Sequence, residues 1–521
     1  MSVTRRIAFG AGASWFSRGM TILLGLVLLP VLFRHLPKEE LGVWLLLGQS
    51  WAAMGILDLG IGFTLTRRIA LAKGKSGGDP NAPLTPETLR DIADLVEAGK
   101  RIYRFMAVGV FVISWGLGFF YLRSLELHGL SQTTVWTAWT ILCASQAIAV
   151  FATVWTCLLQ GVGYVGWDAL IATFINTATL LGQIIAVLCG GRLIALAIVA
   201  TCGALAQRAV SLWFSRVRRP ELFSLQGRWN PVVLRGMPSL AFRAWLTAVG
   251  TILVQNSDGF FIASLKGAEQ IPAYRAAFLI VLNLHMLASV FASSSSVFIS
   301  HLWQAGQIQE VQRIVQRNLR LGLCIVLCGS VAILAAGAAL FNLWLGPSNY
   351  VGAGIIALFV AMFVLEQQTF IISMSSRATE DEAFAGWVML GGVLKLVLAF
   401  ILMKRFGLIG LAAGTLIAQS LTAYWFVPYR GLHRLQFGLG RYLTQVMLPC
   451  VTVFVVAGSL SLFVAILARG SGDGIRFGSV CFASGIVLAA AMWLLVLDGH
   501  QRRRIAAWIG ERTSFRVSAP R

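Results

Sequence analysis

The feature that most constrains this 521-residue chain is a series of long apolar runs. A hydrocarbon core of about 30 Å requires roughly 20 predominantly apolar residues per crossing helix, and about fourteen runs meet that requirement. The runs are continuous rather than alternating, which favours helices over the strands of a barrel. We therefore predict an all-α polytopic membrane protein. The predicted spans lie near residues 11–33, 41–65, 103–122, 134–159, 168–189, 193–214, 238–264, 273–300, 321–345, 353–376, 384–403, 407–427, 443–467 and 477–497.

The basic residues predict the orientation of these spans. Hydrophobic residues make up 57% of the chain and charged residues 12%, which excludes an ordinary soluble protein, yet the net charge is +21. With a cytoplasmic N-terminus, 28 of the 42 Lys and Arg residues fall in inner segments and nine in outer ones. This bias predicts that both termini are cytoplasmic. It also explains the positive charge without nucleic acid as a partner, and we expect the basic loops to contact anionic lipids instead.

The chain contains signs of an internal repeat. The segment 39–44 resembles 269–274, and the segment 191–197 resembles 406–412, at equivalent places in two six-span halves. Such halves are a known transporter plan with a substrate site between them. We therefore predict a six-helix bundle at 1–214, a linker at 215–237 and a second six-helix bundle at 238–430, related by pseudo-two-fold symmetry. An added helix pair at 431–497 and a basic cytoplasmic tail at 498–521 complete the division.

Two polar loops carry amphipathic patterns. The first covers about 85–101, with Thr85 as N-cap and Pro86 as the first helical residue, and the second covers about 307–320. The patterns predict surface helices along the inner face of the membrane, unless they are ordinary loop helices.

Among the ionisable residues inside the predicted spans, seven give the best clue to function. A charge at the bilayer centre costs roughly 2.5–3.5 kcal/mol on insertion scales, so such residues tend to face a bundle interior or a hydrated cavity. Their presence predicts a protein that moves something polar through lipid. Arranged by depth, they are Arg18, Asp58 and Arg243 in the cytoplasmic third, Glu366 and Lys395 near the middle, and Asp258 and Arg275 near the outer end.

Depth suggests partners for six of these charges. Arg18 is predicted to pair with Asp58, Lys395 with Glu366, and Arg275 with Asp258. Arg243 has no acid at its depth and becomes the leading candidate for contact with an anionic substrate group. The acids Asp58, Glu366 and Asp258 have a second candidate role, because a buried carboxylate can couple transport to H⁺ or Na⁺.

Several short motifs resemble those of the polysaccharide and O-antigen flippases, which belong to the multidrug/oligosaccharidyl-lipid/polysaccharide exporter superfamily. They are Glu40-Leu41-Gly42-Val43-Trp44, Asp58-Leu59-Gly60-Ile61-Gly62, Ser257-Asp258-Gly259-Phe260-Phe261-Ile262, Ala273-Tyr274-Arg275-Ala276-Ala277, and 406–414. The resemblance covers spans 1 to 12. This sequence departs from it at Gly259, because relatives often carry a basic residue directly after the aspartate.

The resemblance implies a flippase that turns a polyprenyl-pyrophosphate-linked oligosaccharide from the inner to the outer leaflet of a bacterial inner membrane by alternating access, for cell-surface polysaccharide synthesis. It implies a cationic cavity for the pyrophosphate and sugars, to which we assign Arg243, Arg18, Lys395 and Arg275, while the lipid tail stays in the bilayer. We expect no cofactor or metal, and a monomer that can associate with polysaccharide polymerisation machinery.

Two other classes remain open. A membrane polymerase or ligase acting on lipid-linked sugars needs a polar loop with catalytic groups, but the longest polar stretch, 72–102, has no DxD motif and no histidine. A small-molecule or multidrug exporter of the same superfamily should have an acidic cavity for cationic drugs, whereas the cavity predicted here holds four bases and three acids. We therefore predict a transporter rather than an enzyme.

Overall fold

The computed structural model describes residues 3–54, 61–74, 83–127, 129–224, 227–228, 238–304, 306–379, 381, 383–496 and 502. Every regular element within these ranges is helical, so the predicted all-α fold class is confirmed. The helices of the first half are α1 (Val3–His35), α2 (Lys38–Met54), α3 (Ile61–Gly74), α4 (Pro86–Arg123), α5 (Gln132–Gly161), α6 (Val165–Leu188) and α7 (Leu193–Arg218). The rest are α8 (Pro238–Asn256), α9 (Asp258–Lys266), α10 (Ile271–Gln304), α11 (Ile308–Trp344), α12 (Ala353–Arg377), α13 (Ala385–Leu421), α14 (Ala423–Arg434), α15 (Leu439–Tyr442), α16 (Leu448–Leu467) and α17 (Asp473–Ala491).

Most of these helices are membrane spans. In the described part of the chain, ten are long and apolar enough to cross a bilayer, and Gly19–His35 is a shorter apolar helix. The fourteen predicted spans exceed ten for identifiable reasons. Predicted span 2 corresponds to α2 and α3, and span 7 is interrupted between α8 and α9. Spans 11 and 12 are counted together as the stretch Ala385–Arg434, although the chain reverses at Gly407 within it.

The two amphipathic loops are the first turns of long helices rather than separate surface helices. Thr85 is the N-cap of α4, and its hydroxyl accepts a hydrogen bond from the Thr88 backbone N–H at 3.3 Å, as predicted. However, α4 continues without a break to Arg123. The second pattern likewise opens α11, where Val311 and Val315 are fully buried. Both apolar stripes therefore pack against other helices of the protein, since each stripe is part of one long helix.

The described helices form two compact units. The first contains the described parts of Met1–Ala276 and Glu382–Ala423, and the second those of Ala277–Asp381 and Tyr424–Arg521. In the second unit, α16 and α17 pack on α11 through one continuous apolar cluster. The predicted added helix pair is therefore docked on the ninth span. The sequence-based division at residues 214, 237, 430 and 497 stays a prediction.

The first resemblance motif has a structural reason. The Glu40 carboxylate is buried, and it accepts a hydrogen bond from the Leu193 backbone N–H at 2.8 Å, so that it caps the start of α7. Gly42 lies directly against the Ala268 carbonyl, where a Cβ atom has no room. The motif thus joins α2 to α7 through the Glu40 carboxylate. It also lets α2 pack closely against the segment before α10, because Gly42 has no side chain.

A second glycine turns the chain inside α13. Gly407 has φ 61° and ψ −141°, a conformation that is open only to glycine. The residues after it fold back on those before it, since Gly410 lies against the Leu402 backbone and Gly414 against that of Leu398. The glycines at 407, 410 and 414 in the last resemblance motif therefore build a tight helical hairpin.

We predict that Gly42→Ala destabilises the protein, because its methyl group would overlap the Ala268 carbonyl. Overpacking of this kind costs about 1–3 kcal/mol. The measurement is the thermal unfolding midpoint of purified protein in detergent. Gly48→Ala is the matched control on α2, since open space surrounds that position, and it should leave the midpoint unchanged or raise it. Equal midpoints for both variants would contradict the prediction.

Candidate functional site

A polar site in the first unit begins at the break between α8 and α9. Ser257 separates the two helices, and its hydroxyl donates to the Leu253 carbonyl at 2.6 Å. The carbonyls at the end of a helix lack intrahelical partners and carry partial negative charge. Within a membrane span no water is available to hydrogen-bond these carbonyls. Side chains of the protein must therefore supply the hydrogen-bond donors at the break.

Close helix packing brings Lys395 of α13 to this break. A Cβ on Gly250 would lie 2.6 Å from the Val388 carbonyl, and one on Gly392 would lie 3.0 Å from the Gly250 carbonyl. Glycines at such positions let two membrane helices approach closely. Lys395, one turn beyond Gly392, therefore reaches the carbonyls one turn beyond Gly250.

The Lys395 ammonium is fully buried and its hydrogen-bonding capacity is used. It contacts the Asp258 carboxylate at 2.5 Å, the Ser257 hydroxyl at 2.7 Å and the Val254 carbonyl at 2.8 Å. An ammonium has three donors, so these three nearest acceptors match its capacity, and the Leu253 carbonyl lies further away at 3.4 Å. Lys395 was predicted to pair with Glu366, and that prediction is wrong: glycine contacts between α8 and α13 direct it to Asp258.

Asp258 is 4% exposed and has a second partner and a neighbouring cation. The Tyr274 hydroxyl donates to its other carboxylate oxygen at 3.2 Å, and Arg275 interacts with it electrostatically. Arg275 also donates to the Gln255 carbonyl at 3.1 Å. The predicted proximity of Arg275 and Asp258 is therefore present, although the direct ion pair is with Lys395. One carboxylate facing two cations leaves this cluster with a net positive charge.

The glycine that departs from the family motif belongs to the same site. The Gly259 backbone N–H donates to the Gln49 side-chain oxygen at 3.1 Å, and a Cβ at Gly259 would lie 2.6 Å from that oxygen. A side chain at this position requires the Gln49 amide to move. The positive charge beside Asp258 comes from Lys395 and Arg275.

Glu366 lies in the second unit, on α12, and has a different environment. The carboxylate is half-buried and accepts a hydrogen bond from the hydroxyl of the buried Tyr424. On the following residue, the Gln367 oxygen accepts from the Ser289 hydroxyl at 3.1 Å, and Gln367 also hydrogen-bonds His285. This polar group connects α10, α12 and α14.

Three predicted site residues lie outside the described part of the structure. Arg18 is on α1 and Arg243 is on α8, but their side chains are among those not described, and Asp58 falls in the gap between α2 and α3. The predicted pairing of Arg18 with Asp58 and the role of Arg243 therefore stay predictions.

One buried charged group was missed by the sequence analysis. Asp168 of α6 accepts from the Gln160 amide at 2.8 Å and interacts electrostatically with Arg208 of α7. Arg208 in turn donates to the Thr156 hydroxyl at 3.1 Å. The signal was present, because both charges lie at the predicted cytoplasmic ends of spans 5 and 6.

Comparison with solved structures identifies the fold. The lipid II flippase MurJ, in an inward closed conformation, superposes with a TM-score of 0.68 at 14% identity, over 92% of this chain and 97% of that one. An inward-facing multidrug resistance MATE transporter of the MOP superfamily gives 0.63 at 14%, over 84% and 95%. The chain has the fold of the MOP transporters. A MOP superfamily transporter from Pyrococcus furiosus is also similar, with a TM-score of 0.57 at 13% identity over 83% and 95%.

No family model matches the sequence, and no curated protein matches it. At 14% identity the likeness establishes the arrangement of the chain and leaves the substrate to be argued from the site.

We predict strong energetic coupling between Lys395 and Asp258. Replacing one partner of a buried ion pair leaves the other charge uncompensated, which costs about 3–5 kcal/mol, whereas replacing both costs much less. Lys395→Met and Asp258→Asn should therefore each lower the thermal unfolding midpoint in detergent, and the double variant should recover much of the loss. Additive losses would show that the two charges act independently.

Proposed function

We propose that this chain is a flippase that moves a polyprenyl-pyrophosphate-linked oligosaccharide from the inner to the outer leaflet of a bacterial inner membrane. The observation that carries the proposal is the buried, net positive cluster of Asp258, Lys395 and Arg275 within the membrane spans. A buried ion pair stabilises a fold little compared with apolar packing, so its presence favours a functional role. The likeness in fold to a lipid II flippase supports the same class of substrate.

The chemistry of the substrate matches positive residues at more than one depth. A pyrophosphate and a chain of hydroxyl groups cannot cross hydrocarbon unaided, so the protein must supply fixed positive charge along a hydrated route. Arginine suits phosphate because its planar guanidinium donates bidentate hydrogen bonds and stays charged. We assign this role to Arg243, Arg18 and Arg275. Lys395 contributes mainly as a fixed charge, because three acceptors already occupy its ammonium.

The second candidate is an exporter of small molecules, which the likeness to MATE transporters favours. Cationic drugs require an excess of acidic groups. The cluster at Asp258 has the opposite balance, so we rank the exporter below the flippase. A membrane enzyme ranks lower still, because the solved structures similar in fold are those of transporters.

Ion coupling is assigned to Glu366, with Asp58 and Asp258 as further candidates. Glu366 is half-buried and its described partner is a neutral hydroxyl, so the carboxylate can exchange a proton or hold Na⁺ without breaking an ion pair. Asp258 is less suited, since its charge is already matched by Lys395. We place both termini in the cytoplasm and expect a monomer with anionic lipids around it.

Deleting the gene should cause a lipid-linked oligosaccharide to accumulate on the cytoplasmic leaflet, while surface polymer is lost. Arg275→Gln and Arg243→Ala should fail to restore export although both proteins reach the membrane, and Arg275→Lys should restore part of it because the charge is kept. The measurements are extracted lipid-linked sugar and surface polymer. Loss of polymer without an accumulated intermediate would reject the flippase in favour of an enzyme.

Glu366→Gln should abolish the response of transport to an ion gradient in proteoliposomes, because an amide neither titrates nor holds Na⁺ as a carboxylate does. Tyr424→Phe is the matched control, since it removes the hydroxyl but keeps the carboxyl group, and it should still respond. Imposing pH and Na⁺ gradients separately identifies the ion. If Glu366→Gln responds to both gradients like the unaltered protein, coupling resides elsewhere.

A further inference from the structure

The first unit contains a groove of about 400 Å³ that is distinct from the charged cluster. It lies among α2, α4, α5 and the start of α9, and its size falls within the usual range of about 300–1,000 Å³ for ligand sites. Its main walls are Leu47, Met54, Leu117, Tyr121, Trp139 and Phe260.

The lining of the groove is suited to hydrocarbon. Aliphatic and aromatic side chains dominate it, and the hydroxyl of Ser50 is turned back to the Leu46 carbonyl at 2.8 Å. Gly118 makes room for the Trp139 indole, which packs directly on its Cα side. The groove therefore offers shape and apolar surface but little polar recognition.

The groove also opens toward lipid. Ile113 and Leu117 line it from α4 and are 48% and 67% exposed, on a membrane span. Exposed apolar side chains on a span face the hydrocarbon of the bilayer. A lipid chain can therefore enter from the side without crossing a polar region.

The position of the groove connects it with both halves of the sequence. Tyr121 of α4 donates to the Phe260 carbonyl of α9 at 2.9 Å, and their rings meet edge to face at 5.1 Å. Ser264 donates to the Tyr121 hydroxyl at 3.3 Å. Phe260 is two residues from Asp258, so the groove ends close in sequence to the charged cluster.

We propose that this groove holds the hydrocarbon chain of the transported lipid, an inference that rests on the flippase function proposed above. A flippase must pass a polar headgroup between helices while the attached chain stays in the bilayer. The hydrocarbon chain must therefore pass from the headgroup into the bilayer through a lipid-facing gap between helices of the two halves. The groove at Tyr121 and Phe260 has this geometry, and its occupant is a polyprenyl chain rather than a bulk phospholipid.

The test places a photoreactive p-benzoylphenylalanine at single positions of α4. Ile113 and Leu117 line the groove, whereas Val112 and Phe120 are similarly exposed, at 60% and 76%, and do not line it. Each variant is reconstituted in vesicles of phosphatidylethanolamine and phosphatidylglycerol with radiolabelled polyprenyl phosphate, and illuminated. The readout is the radiolabel attached to the protein, with or without excess unlabelled polyprenyl phosphate or phospholipid.

We expect several-fold more labelling at positions 113 and 117 than at 112 and 120, with competition by polyprenyl phosphate but not by phospholipid. Equal labelling at all four positions, or equal competition by both lipids, would overturn the proposal and make the groove an ordinary annular lipid site.

Lipid-linked oligosaccharide transport is measured on the same vesicles and separates the two proposals. Transport without preferential labelling rejects the groove and keeps the flippase. Preferential labelling without transport keeps a polyprenyl site and rejects the flippase.

Discussion

A polar group inside the membrane has no water to bind, and the organisation of the first unit follows from that constraint. The chain breaks at Ser257, which frees carbonyls that would be costly in hydrocarbon. Lys395 has two roles at this break. Its ammonium donates a hydrogen bond to the Val254 carbonyl, and it neutralises the Asp258 carboxylate. The glycine contacts between α8 and α13 bring the two helices close enough for this lysine to reach the break. The close packing of α8 and α13 and the position of the Lys395 charge therefore depend on each other.

The sequence predicted the fold class and most span limits because continuous apolar runs of membrane length have few alternatives. It did less well where the chain deviates from a uniform helix. The break at Ser257 depends on tertiary contacts that no local pattern encodes. The turn at Gly407, by contrast, falls at the boundary between the predicted spans 384–403 and 407–427. The amphipathic stripe at 85–101 predicts a helix, but the pattern alone leaves open whether the stripe faces the membrane surface or protein. The stripe instead packs on protein, because periodicity specifies a buried face and not what covers it.

The candidate charges were found from sequence, whereas their pairing was not. Depth along a span gives one coordinate, and Lys395 and Glu366 share it. The rotation of each helix and the sites of close approach decide which charges meet, and Gly250 and Gly392 decide it for Lys395. Asp168 and Arg208 also share a depth, at the predicted cytoplasmic ends of spans 5 and 6, and they interact electrostatically. Gly259 shows a further limit of sequence-based prediction. The reason for a glycine at this position is the Gln49 side chain that lies against it, which the sequence alone does not show.

The unbroken course of α4 has a mechanical consequence. Its 38 residues extend about 57 Å, which exceeds the roughly 40–45 Å of a bilayer with its headgroups. Its last turns contain Tyr121, in contact with α9, and its first turns receive the Arg228 backbone N–H at the Asp94 carboxylate, 2.6 Å away. A rigid rod of this length converts a tilt of about 10° into a displacement of about 10 Å at one end relative to the other. A change at the contact of Tyr121 with α9 can thereby displace the opposite end of α4, near Asp94, without any intermediate rearrangement of side chains.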